Sequence, residues 1–143
     1  MSTYGIGGST IEAELNAIKP KAHLGKPIEK GEYQDRIAKA CRLMKSEGVQ
    51  VMYLHAGSNL FYFTGTRWLP SERMVGALLF ANSNVHYIAP EFERGTVMDF
   101  MTIKGEVHCW EENENPCELL MKILAENEIY SGDLLIDVST PFF

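Results

Sequence analysis

Histidines and carboxylates are the residues in this sequence best suited to acid–base or metal chemistry. Four histidines occur, at His23, His55, His86 and His108. None stands four residues from another, and no His-Glu-x-x-His is present, so no helix face offers a ready zinc pair. His86 falls in a predicted hairpin and His108 in a predicted strand, and both read as half-exposed sheet residues. His55 ends the first predicted strand, where α/β proteins often place functional groups; its reading here is structural. Glu111, Glu112 and Glu114 lie between a strand end and a helix start, an ordinary setting for solvated carboxylates. Two-metal catalysis needs several carboxylates and a histidine converging on one point, and the spacing announces no such cluster. The expectation is no catalytic residue and no metal ligand in this chain.

Nucleophile motifs are equally sparse. No Gly-x-Ser-x-Gly occurs, and Gly5-Ile6-Gly7-Gly8 neither follows a strand nor fits the dinucleotide fingerprint. Cys41, Cys109 and Cys117 make an odd count without Cys-x-x-Cys spacing, which excludes a disulfide framework or zinc ribbon. Cys41 sits on an apolar helix stripe, where core packing is its natural role. One segment has functional composition: Gly65-Thr66-Arg67-Trp68-Leu69-Pro70-Ser71-Glu72-Arg73. Trp and Arg dominate binding hot spots, and Arg67 or Arg73 has the fork geometry to clamp a carboxylate. Trp68 reads equally as a binding residue and as a cap on the core. Glu72 and Arg73 read as an internal ion pair.

These residues need elements to hold them. An amphipathic helix is predicted over about 32–47, with Ile37, Ala40, Cys41 and Met44 on one stripe, Leu43 beside them, and Gly48 as its stop. A strand follows at 49–54, then the aromatic run Asn59-Leu60-Phe61-Tyr62-Phe63-Thr64-Gly65 and a loop at 66–73. Apolar runs at 74–80 and 85–89, joined by Ala81-Asn82-Ser83-Asn84, predict a β-hairpin. Helix 91–101 carries Phe92, Thr96, Val97 and Phe100 on one side. Strand 107–110 follows, then helix 116–127 with Pro116 in its first turn and Leu119, Leu120, Ile123 and Leu124 inward. The last strand is 134–138. Alternating strands and helices with one hairpin define an α/β domain with a mixed sheet. Residues 1–31 read as an extension, with Ser9 or Thr10 capping a short helix over 11–18 that Pro20 ends. Ser139-Thr140-Pro141-Phe142-Phe143 has the signals of a helix start, so the main domain, 32–143, is expected to be incomplete.

Composition narrows the function classes. The 143 residues suit one domain. Net charge is −6, with no basic block, which argues against nucleic acid as a partner. The first ten residues lack the pattern of a signal peptide, and apolar runs fall short of the ~20 residues of a membrane helix. Free thiols agree with a reducing cytoplasm.

Taken in order, Asn59 to Gly65, Trp68, Ser71-Glu72-Arg73, the hairpin, and Ala89-Pro90-Glu91-Phe92-Glu93 resemble the N-terminal domain of the creatinase/prolidase metallopeptidases. Trp110-Glu111-Glu112 and Ile136 to Phe143 extend the likeness to the end of the chain. The resemblance implies a three-layer domain with a mixed central sheet flanked by helices, similar to a ribonuclease H-like motif. It implies a separate pita-bread domain, absent from this chain. There, two aspartates, a histidine and two glutamates hold a dinuclear Mn, Co or Zn centre that cleaves Xaa-Pro bonds in short proline-containing peptides. This chain alone is then expected to be inactive. Its implied work is dimer or tetramer contacts and substrate-access control, with Trp68, and secondarily Arg73, on the rim of a substrate pocket in the oligomer. A non-enzymatic binding or scaffold module of the same fold, and the N-terminal domain of a creatinase-like amidinohydrolase, are the alternative readings.

Overall fold

Ser83 adopts a left-handed φ of 76° in the turn between two apolar strands. Its N–H donates to the Phe80 carbonyl at 2.8 Å, and the Asn82 side chain accepts from the Asn84 N–H at 2.9 Å. The predicted hairpin is therefore present, as β2 (Gly76–Phe80) and β3 (Val85–Pro90). Both strands are buried along their whole length, the mark of a sheet covered on both faces.

The computed structural model describes residues 7–19, 25–138 and 140–141. The expectations for Pro20, for His23, and for Ser139, Phe142 and Phe143 lie outside the described residues.

Around the hairpin the elements run α1 (Ile11–Ala17), α2 (Lys30–Ser46), β1 (Val51–His55), α3 (Ser58–Thr64), β2, β3, a 3₁₀ turn (Glu91–Glu93), α4 (Arg94–Phe100), β4 (Glu106–Trp110), α5 (Pro116–Glu126) and β5 (Leu134–Leu135). The sheet order is β4-β3-β2-β1-β5. β1 and β3 pair antiparallel with β2, while β4 and β5 pair parallel with β3 and β1. The mixed sheet is borne out. On one face α2, α3 and α4 bring Tyr33, Ile37, Cys41, Leu60 and Val97 against Leu54, Ala77, Leu79, Tyr87 and Ala89. On the other, α5 brings Leu120, Ile123 and Leu124 against Val51, Tyr53, Leu78, Ile88 and Trp110. The three layers follow.

Helix ends obey local chemistry. The Thr10 hydroxyl accepts from the Ala13 N–H at 3.2 Å and caps α1. Asn115 caps α5, with Pro116 at its start. α2 stops at Gly48, φ 73°. There the N–H groups of Val49 and Gly48 return to Met44 and Lys45, the paired bonds of a Schellman stop. Cys41 is buried as expected, its thiol donating to the Phe80 carbonyl at 3.4 Å.

Four details differ from the sequence reading. The aromatic run at 59–65, which the sequence pattern assigns to neither helix nor strand, is helix α3 with Gly65 as its cap. Leu43 is exposed, because the buried stripe of α2 is Tyr33, Ile37, Cys41 and Met44. Of the predicted stripe on 91–101 only Val97 is buried, while Phe92 and Phe100 are exposed. The first turn there is 3₁₀, and its tighter winding breaks the 3.6-residue phase. The last strand pairs only over Leu134–Leu135, because the chain then turns so that Asp137 accepts a hydrogen bond from Asn59 at 2.8 Å.

Candidate functional site

β1 and β5 run parallel, and the chain beyond their carboxyl ends walls a cleft of about 460 Å³. Its lining comes from the β1–α3 turn (His55, Gly57, Ser58, Asn59), from Asp137 beyond β5, and from the 66–73 loop (Arg67, Trp68, Leu69, Pro70). The loop is pinned at both ends. At its start Thr66 is buried, its hydroxyl 3.2 Å from the Tyr87 hydroxyl, and its N–H donates to Thr64 Oγ1 at 3.1 Å. At its end Arg73 donates to Glu112 at 2.8 Å and to Glu72 at 2.7 Å, and the Trp110 indole N–H donates to the Met74 carbonyl at 3.2 Å.

Trp68 is half-buried. Its ring meets Phe100 edge-on at 6.0 Å, and it packs against the α2–α4 core while lining the cleft. It therefore caps the core, which was one of its two readings from sequence, and it also lines the cleft. Arg73 is not part of the lining. Its hydrogen bonds to Glu112 raise its pKa, and the charges of Glu112, Glu72 and Glu93 add to this against the opposing effect of burial. Arg67 stacks its guanidinium over Phe61 at 5.1 Å, at the mouth. It is the exposed cation of the lining.

His55 is buried. Its Nδ1 lies 3.4 Å from the Tyr53 hydroxyl, which donates to the Val75 carbonyl at 3.2 Å. Burial lowers its pKa and the nearby Asp137 charge opposes this. Burial also raises the Tyr53 and Tyr87 hydroxyl pKa values and pushes the Cys109 thiol up to about 11. Among the residues that line the cleft, Asp137 supplies a carboxylate and Arg67 a guanidinium, beside the buried His55. The Asn59–Asp137 bond was not visible from spacing, since 78 residues separate the two.

Two histidines set the acid response. His55 and His108 both have lowered pKa values, each from burial first. For His108 the His86 and Arg94 charges lower it further, opposed by Glu106 and Glu126. The unfolded chain then binds more protons below the ordinary histidine value of about 6.5, so stability is complete above it and lost as pH falls through it. Urea midpoints are expected to fall as the pH is lowered from about 6.5 through the lowered folded-state values of these two histidines. A midpoint flat across that window would contradict these shifts.

Among the described residues, one group of three His, Cys, Asp or Glu side chains converges its ligand atoms: His86, Glu106 and His108. It contains no aspartate and one glutamate, so it does not fit the dinuclear ligand set that the resemblance implies.

A five-stranded mixed sheet covered by helices on both faces places the chain among three-layer α/β domains. Within that class, residues 36–136 match the creatinase/prolidase N-terminal domain, and the chain belongs to that family. It is 28% identical over 95 residues to "Putative dipeptidase YkvY" of Bacillus subtilis, covering 66% of this chain and 26% of that protein. The prolidase of Thermococcus sibiricus superposes with a TM-score of 0.66 at 27% identity, over 81% of this chain and 30% of the prolidase. The N-terminal domain of an Xaa-Pro dipeptidase from Lactobacillus brevis has a TM-score of 0.64 at 17% identity, over 71% of this chain and 75% of that domain; this likeness concerns fold alone. The chain spans about a quarter of the length of its curated relative. No helix among the described residues is long and apolar enough to cross a membrane.

Proposed function

We propose that this chain is the non-catalytic N-terminal domain of an Xaa-Pro metallopeptidase of proline dipeptidase or aminopeptidase P type. It forms subunit contacts and limits access of short proline-containing peptides, while a separate domain holding a dinuclear Mn, Co or Zn centre cleaves them. The observation that carries this reading is the Trp68 loop. Its two ends are fixed, by the Thr66–Tyr87 hydroxyl contact and by the Trp110–Met74 bond, and its middle lines the cleft. Trp68 would form the rim. Arg73, already bound to Glu72 and Glu112, would act by holding the loop in place.

The test has three readouts. This chain with added Mn(II) should give no turnover of an Xaa-Pro dipeptide above the blank; real turnover would overturn the reading. Sedimentation should show a dimer or tetramer, and a monomer throughout the micromolar range would remove the assembly role. In the protein carrying the metal domain, Trp68→Ala should raise KM for Xaa-Pro dipeptides about tenfold with kcat little changed, the pattern of lost binding rather than lost chemistry.

A further inference from the structure

The sheet edge opposite the cleft carries a second constellation. β3 and β4 pair parallel, with His86 opposite Glu106 and Ile88 opposite His108. Side chains alternate across a strand, so Glu106 and His108 share a face. The registers put His86 on that same face, the one covered by α5. His86 Nδ1 and His108 Nε2 are 3.0 Å apart. The Glu106 carboxylate oxygen lies 3.8 Å from the first and 3.6 Å from the second.

Those three separations form a triangle whose equidistant point is about 2.0 Å from every corner, which is the length of zinc–imidazole and zinc–carboxylate bonds. Loop flexibility plays no part, since all three residues stand on paired strands. His86 is buried against Phe80, with ring centroids 5.0 Å apart. His108 is partly buried and Glu106 is exposed. The buried imidazole fixes one ligand, and the exposed carboxylate leaves an entry path and room for water. Nearby charges are mixed: Glu126 favours a cation and Arg94 opposes one.

We propose that His86, Glu106 and His108 form a binding site for one transition-metal dication of the zinc class. Two imidazoles and one carboxylate select Zn(II), Co(II) or Ni(II) over Mg(II) and Ca(II), which take all-oxygen shells. Three protein ligands leave a position for water or for a donor from another molecule. Without metal, the two facing nitrogens share a proton in their hydrogen bond. Metal binding moves that proton to the far nitrogen of whichever ring carries it, so each ring presents a lone pair.

The test is titration of the full chain with Zn(II) by calorimetry and with Co(II) by visible absorption, under reducing conditions. One ion per chain is expected, with a Co(II) ligand-field spectrum free of a thiolate charge-transfer band. His108→Gln and Glu106→Gln should each weaken binding by at least about 10–100-fold, the cost of disturbing even an outer-shell partner of a metal site. His23→Gln should leave binding unchanged. Glu106 is solvent-facing, so Glu106→Gln is a variant whose folding is not at stake, and circular dichroism checks His108→Gln. Absent saturable binding, affinity unchanged from the parent chain in both ligand variants, or a thiolate band would each overturn the site.

Discussion

Gly65→Ala is expected to cost roughly 3 kcal/mol of stability, and Gly48→Ala about 1 kcal/mol, although both glycines end a helix in the same left-handed conformation. Their φ angles are 71° and 73°. Any L-residue there carries a strain of about 1–2 kcal/mol. What differs is space. A Cβ on Gly48 meets nothing within 4 Å, whereas one on Gly65 lies 2.8 Å from the Thr102 Cβ and 2.9 Å from Cε2 of Tyr33. Tyr33 is a buried core ring, so the overlap must be relieved by moving packed atoms, at about 1–3 kcal/mol. Gly65 also opens the loop that holds Trp68, and its carbonyl accepts from the Thr102 hydroxyl at 3.3 Å. A shift there is passed to the cleft. Urea unfolding of the two variants measures the difference; equal losses would mean that the contacts around Gly65 are not tight.

What could be read from the sequence, and what could not, divides by range of interaction. The hairpin, the stop at Gly48, the Pro116 start of α5 and most of the buried stripes of α2 and α5 are local effects, settled by residues within one turn of each other. Helix α3 was missed because Phe61, Tyr62 and Phe63 carry strand-type propensity. It is held by Leu60 packed in the core and by the Thr64 hydroxyl donating back to the Leu60 carbonyl at 2.7 Å. Tertiary packing there overrides propensity. His86 and His108 are 22 residues apart, with α4 between their strands. A search at helical spacing is blind to a pair made by parallel strands. The loop at 66–73 stood out by composition, and its internal ion pair was legible because Glu72 and Arg73 are neighbours. Glu112, the partner that ties this loop to the far side of the sheet edge, was not.

The two tryptophans should behave oppositely on truncation. Trp110 is buried on the α5 face beside Leu120, Ile123 and Leu124. Trp110→Ala is expected to cost about 3–5 kcal/mol, the usual range for emptying a buried aromatic site. That is a large part of the roughly 5–15 kcal/mol that holds a domain folded. Its indole N–H serves the Met74 carbonyl, so Trp110→Phe keeps most of the packing and should lose about 1 kcal/mol, the worth of one hydrogen bond. Trp68 is half-buried and faces the exposed Phe100. Trp68→Ala should cost no more than about 1–2 kcal/mol, within the common range for point variants. Denaturant midpoints would give the ranking, and the fluorescence of each single-tryptophan variant would report on the loop's middle through Trp68 or its far end through Trp110. If Trp68→Ala proved as damaging as Trp110→Ala, Trp68 would be core, and the rim role proposed for it would fall. If the ranking holds, the loop combines a fixed frame, set by Trp110, Met74 and the Arg73–Glu112 pair, with an indole free enough to meet a ligand at the cleft.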